Sequence, residues 1–129
     1  MTSDTPRILI VEQTPAADQG IGDLLTSAGY ATRTAQTTQA ALDMLADWHP
    51  NVLLVDLRVP SYEGRRFCAS LAEHETLDSP PVVLLGDAPN IMKPTPITPF
   101  GLVATPINPS LLAATVQRAV AKQGATGEV

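Results

Sequence analysis

The segment 51–60, NVLLVDLRVP, constrains the fold of this chain more than any other. Val52, Leu53, Leu54 and Val55 form an unbroken apolar run that ends on one carboxylate, Asp56. A strand with one wet face alternates apolar and polar residues, whereas a run without alternation marks a strand covered on both faces, as in a parallel sheet. A charge at the end of such a strand stands at the carboxyl edge of the sheet, where open α/β folds hold their ligands. Pro60 and Gly64 then break the chain before the next helix. The simpler reading of Asp56 is an acid that begins a strand-to-helix turn, and this segment alone does not separate the two.

The rest of the chain repeats the strand–helix rhythm. Residues 7–12, RILIVE, form a first strand that ends on Glu12. Thr14 and Pro15 have the character of an N-cap and first helical position. Ile21, Leu24, Leu25 and Ala28 then recur at helical spacing up to Gly29, a natural helix stop. A weaker strand over 30–35 leads to a second helix capped by Thr37 or Thr38, with Ala41, Met44, Leu45 and Trp48 on one face. Trp48 reads as core packing. A third helix over 64–75 turns Phe67 and Leu71 inward, with Cys68 as a small packed residue and His74 in a charge or cap interaction near its end. Val82 to Leu85 make a fourth strand and 102–104 a short fifth. Asn108-Pro109 opens a last helix with Leu111, Leu112, Thr115, Val116, Ala119 and Val120 along it. The domain is expected to span 1–122, with 123–129 as a tail or the start of a linker.

Strands alternating with helices predict a parallel sheet with helices on both faces and right-handed crossovers. One stretch breaks the rhythm. Pro89, Pro94, Pro96 and Pro99 all lie between Gly86 and Thr105. Each proline inside a helix costs about 3 kcal/mol, so an extended or single-turn loop is expected there.

Composition excludes several function classes. The 129 residues are 44% apolar and 16% charged, as in one folded domain with a real core. Net charge is −5 and the eight Lys and Arg residues are scattered, so nucleic-acid binding is not expected. No apolar run approaches the roughly 20 residues that span a bilayer. The polar start carries no secretory signal, and a cytoplasmic location is expected. A lone Cys68 forms neither an internal disulfide nor a cysteine metal site.

In order and spacing, RILIVE, GYATRTAQTTQAAL, NVLLVDLRVPSYEG, SPPVVLLG and VATPINPSLLAATV resemble the receiver domain of two-component response regulators, over about residues 6–121. The resemblance implies a doubly wound, flavodoxin-like sheet of strand order 2-1-3-4-5, here with helix 4 replaced by a proline-rich loop. It implies that Asp56 is the phosphoacceptor for a histidine kinase. It also implies a Mg²⁺ site formed by Glu12, Asp56 and the backbone carbonyl of Arg58. Other positions depart from the pattern. Gln13 replaces the second metal-holding acid, Gly86 the switch Ser or Thr, Leu102 the switching aromatic and Thr105 the essential Lys. Pro106 is retained, which favours a cis Thr105-Pro106 bond.

These departures predict a pseudo-receiver. Phosphoryl transfer depends on positioning and charge neutralisation. Losing one preorganised donor costs about 10²–10³ in rate. Mg²⁺ binding should be weakened by the missing charge at Gln13, and Lys93 is expected in solvent. The reading is a non-enzymatic protein-interaction module of a bacterial signalling protein, partnered by a kinase or an output domain, with homodimerisation open. The alternatives are a working phosphoacceptor and a small α/β hydrolase or nucleotide-binding domain. Against the last stands the absence of a glycine-rich phosphate cradle in residues 13–20. The apolar residues Ile91, Met92, Ile97 and Phe100 either cover the core where a helix is missing or form a partner-binding patch.

Overall fold

The computed structural model describes residues 5–12, 20–58, 62–73 and 79–126. Five strands, β1 (Arg7–Val11), β2 (Ala31–Ala35), β3 (Val52–Asp56), β4 (Val82–Gly86) and β5 (Gly101–Ala104), alternate with helices α1 (Ile21–Ser27), α2 (Thr38–Trp48), α3 (Tyr62–Glu73), α4 (Ala88–Ile91) and α5 (Pro109–Thr126). All strand pairs are parallel, in the order β2-β1-β3-β4-β5. The expected doubly wound α/β sheet and its strand order are therefore what the chain forms.

The unbroken apolar runs explain the layering. Every residue of β3 and β4 is buried. Their side chains alternate between two cores. Leu9, Val11, Leu53, Val55 and Leu84 pack with Ala41, Phe67, Cys68 and Leu71 on the α2–α3 face. Ile8, Ile10, Leu54, Leu85 and Val103 pack with Ile21, Leu25, Leu112 and Val116 on the α1–α5 face. Each such side chain contributes about 1.5–3 kcal/mol when fully buried. β2 lies at the sheet edge with Arg33 and Thr34 exposed, which accounts for its weak sequence signal.

Local signals set the helix ends. Gly29, at φ 102°, terminates α1: its N–H bonds Thr26 O, and Tyr30 N–H bonds Leu25 O, the Schellman pattern. Thr37 caps α2, its hydroxyl accepting from Ala40 N–H at 3.1 Å. At the other end His49 is left-handed, φ 55°, and its carbonyl accepts from Arg7 Nη2 at 2.9 Å. Asn108 Oδ1 caps α5 by accepting from Ser110 and Leu111 N–H. Thr14, Pro15 and His74 lie outside the described residues. α5 runs through Thr126, into the stretch expected as a tail.

Between β4 and β5 stands one helical turn, α4, followed by residues 92–100 with neither helix nor strand. Pro89 is tolerated because it falls in the first turn, where its missing donor has no partner to lose. Ile91 and Ile97 are buried, and Ile97 joins the α2–α3 core. Phe100 is half-buried against the α1–α5 core, and Met92 is exposed. Three of the four apolar residues in this segment thus pack inward. Among the described residues no helix is long and apolar enough to cross a membrane.

Two glycines separate close packing from open space. A Cβ at Gly64 would lie 2.8 Å from the Asp56 carbonyl oxygen and 3.0 Å from Leu57 Cδ2, whereas one at Gly22 meets nothing within 4 Å. Gly64→Ala should lower stability by about 1–3 kcal/mol, the usual cost of overpacking. Gly22→Ala should be neutral or stabilising by up to about 1 kcal/mol. Paired urea denaturation curves measure both. Burial also raises the Cys68 thiol pKa to about 11. Cys68 should therefore resist a thiol reagent at neutral pH and react stoichiometrically only in denaturant, as read by absorbance of the released chromophore.

Candidate functional site at the carboxyl edge of the sheet

β1 and β3 are neighbours whose following connections leave toward opposite faces, the switch point at which open α/β sheets make a crevice. The strand register places Val11 beside Val55, so Glu12 and Asp56 emerge side by side at the carboxyl edge. Both are buried, at 1% and 6% exposure. Glu12 is anchored through its backbone, whose N–H donates to Ala35 O at 3.0 Å.

Asp56 is held by a residue two positions on. Arg58 N–H donates to Asp56 Oδ1 at 2.8 Å, and Arg58 Nε lies 3.0 Å from Oδ1 and 3.1 Å from Oδ2. Arg58 Nη2 donates to Oδ2 at 2.7 Å. Both carboxylate oxygens are thus engaged by one guanidinium, in the planar geometry that makes Arg–carboxylate pairs strong. The two side chains are only 13% and 7% exposed, so the pair is largely desolvated. Leu57, between them, is fixed by its N–H on Leu85 O at 2.6 Å.

Beside this pair, β4 and β5 end on Gly86 and Ala104. A Cβ at Gly86 would stand 3.0 Å from Ile91 Cγ2 and 3.2 Å from the Leu57 carbonyl carbon. Thr105 N–H donates to Gly86 O at 3.0 Å, and its hydroxyl donates to Asp87 Oδ1. The Thr105-Pro106 bond is cis. Leu102, on β5, is 40% exposed, and Lys93 is exposed. Gln13 lies outside the described residues.

The structure therefore brings Glu12, Asp56, Gly86 and Thr105 to one edge. Sequence reasoning missed two side chains there. Arg58 was considered only for its backbone carbonyl, although an Asp-x-Arg triplet at a strand end places opposite charges within reach. Asp87, the partner of Thr105, follows the end of β4 as Glu12 follows the end of β1. On the donor set, a divalent cation does not fit this arrangement. Both Asp56 oxygens already accept from Arg58 at 2.7–3.1 Å, so the carboxylate is occupied by a guanidinium.

A family model of the response regulator receiver domain matches residues 8–117. The chain belongs to that family. This receiver is 32% identical over 115 residues to Protein Rrf1 of Nitratidesulfovibrio vulgaris, covering 89% of the chain and 83% of that protein. It is 29% identical over 126 residues to the regulatory protein AtoC of Escherichia coli, covering 95% of the chain but 27% of AtoC. Among solved structures, the chemotaxis protein CheY4 of Vibrio cholerae superposes with TM-score 0.74 at 22% identity, covering 90% of this chain and 99% of that one. A CheY-like receiver protein of Methanospirillum hungatei superposes with TM-score 0.78 at 20% identity, covering 96% and 100%. The last two show the fold. The chain is thus a receiver domain of two-component signalling proteins, a class of modules that are in general not enzymes. Such domains typically bind Mg²⁺ at this acidic edge, and they contact kinases and output domains. Nothing among these relatives supports a hydrolase.

Near this edge α2 and α3 are tied together. Glu63 Oε1 accepts from Thr38 N–H at 2.6 Å, and Thr38 Oγ1 donates to Glu63 O at 3.2 Å. The Thr38 backbone bond, then its hydroxyl and the Arg66 charge, hold the Glu63 pKa below its usual 4.5. A lowered carboxylate pKa stabilises the fold above the unfolded value and loses that contribution as pH falls through the folded one. Glu63→Gln should therefore melt below the wild type at neutral pH. The gap should close as pH drops below 4.5, as followed by thermal unfolding across a pH series.

Proposed function

We propose that this receiver acts mainly as a protein-interaction and regulatory module in a bacterial two-component pathway, with phosphoryl transfer to Asp56 weak or absent. The observation that carries this reading is the state of positions 86 and 105. In the resemblance described above, these positions supply a hydroxyl and a cation to the phosphoryl group. Here the space beside Gly86 is filled by Ile91, Leu57 and Arg58, and the Thr105 hydroxyl is committed to Asp87. A threonine brings no positive charge to a transferring phosphoryl, and the loss of one such donor costs about 10²–10³ in rate. With Leu102 in place of an aromatic, the usual two-state element is also missing.

The interaction surface in this reading is the face formed by α4, β5 and α5. The proline-rich segment 92–100 replaces the family's fourth helix, and Ile91 and Ile97 close the core beneath it. Met92, Leu102 and Leu111 are the large apolar side chains left exposed there, at 70%, 40% and 47%. They are the residues offered to a partner domain, to a kinase or to a second copy of the chain. A second reading, a reduced but working phosphoacceptor, is favoured by one observation: Asp56 keeps its carboxylate at the end of β3.

Intact mass after incubation with acetyl phosphate and Mg²⁺, with Asp56→Asn as control, separates the readings. The expected result is no phosphoryl gain over hours. A stoichiometric gain that vanishes in Asp56→Asn would establish the second reading.

A further inference from the structure

We infer that Arg58 is a built-in cation that holds the Asp56 carboxylate and excludes divalent metal from it, so that guanidinium and metal are mutually exclusive occupants of the site. Glu12 and Asp56 leave adjacent strands as buried neighbours, at 1% and 6% exposure. A carboxylate taken out of water is costly unless it is paired and hydrogen-bonded. Residue 105, at the end of β5, is a threonine and supplies no cation. Arg58 folds back over the acid instead, and its guanidinium is nearly as buried as its partner.

The geometry gives the exclusion. The guanidinium contacts lie between 2.7 and 3.1 Å and take both carboxylate oxygens, while the Arg58 backbone N–H takes Oδ1 again. A hard divalent cation needs oxygen ligands at about 2.0–2.6 Å. A carboxylate has about four acceptor sites, and these contacts use those of both oxygens, so a metal reaches Asp56 only after the guanidinium has moved aside. Arg58 can perform this because of its length and its spacing. Leu57 is pinned to Leu85 O, which fixes the turn, and a planar fork two residues on meets the carboxylate with two nitrogens. A lysine there brings a point charge without the fork. Arg58 is in this sense a specificity-determining residue for the cation at the acidic edge. The inference stands apart from the phosphorylation reading, because it concerns which cation Asp56 holds and not what Asp56 accepts.

Mn²⁺ titration followed by water-proton relaxation on the full chain, with thermal unfolding in Mg²⁺ or EDTA at constant ionic strength, tests it. The wild type is expected to show no Mn²⁺ binding attributable to Asp56 and no change of melting temperature with millimolar Mg²⁺. Arg58→Ala is expected to melt lower in EDTA, to regain stability on adding Mg²⁺, and to gain the Asp56-dependent Mn²⁺ binding that the wild type lacks. The double variant Asp56→Asn/Arg58→Ala should lose that metal response. Wild-type Mn²⁺ binding that disappears in Asp56→Asn overturns the inference, as does an Arg58→Ala response equal to that of the wild type. Should Arg58→Ala not fold, Arg58→Gln keeps a donor and removes the charge, and the wild-type titration decides by itself. Phosphoryl uptake by the wild type in EDTA would count against the proposed function alone, whereas uptake that requires Mg²⁺ would overturn this inference as well.

Discussion

The structure depends on β3 being buried on both faces. A strand with Val52, Leu53, Leu54, Val55 and Asp56 all inside needs a helical layer on each side, and only parallel connections supply both layers from one short chain. That requirement sets the alternation of strands and helices and places α2 and α3 opposite α1 and α5. It also leaves the central strand ending on a charge. An apolar strand can stop anywhere, but one that stops on a desolvated carboxylate obliges its surroundings to answer that charge.

How the charge is answered gives this receiver its character. Electrostatic compensation is drawn from the same loop that carries the acid, through Arg58, rather than from a residue across the sheet. At the same edge Thr105 engages Asp87 and the Gly86 carbonyl. A buried ion pair of this kind contributes little net stability compared with apolar packing, yet losing one partner is costly because the other is then stranded. The pair therefore acts on the conformation of the site more than on the stability of the fold.

Most of the fold was legible in the chain because its signals are local. Uninterrupted Val and Leu runs marked the strands, Gly29 marked the end of α1, and Thr37 and Asn108-Pro109 marked the starts of α2 and α5. Asp56 and Glu12 were legible for the same reason, as acids standing directly at strand ends. What escaped was relational. The side chain of Arg58 meets Asp56 only because the turn at Leu57 aims it back, which residue spacing alone does not announce. The Thr105–Asp87 contact joins residues 18 apart in sequence, so no local pattern announces it. In the segment before β5, proline content alone could not show that Ile91 closes a single turn or that Ile97 reaches the α2–α3 core. Periodicity fails where burial is achieved by isolated residues instead of a repeating face.

The contact between Ile91 and the empty side of Gly86 links two features that look unrelated in the sequence. The volume beside the last residue of β4 is occupied by a branched side chain from the following turn, which itself belongs to the buried set. Composition at these two positions is therefore tied by volume. A hydroxyl-bearing residue at 86 demands a smaller neighbour at 91, and a smaller neighbour alone leaves a void. Substitutions at 86 and 91 are therefore coupled through one shared volume, and their effects should not add as those of independent sites do.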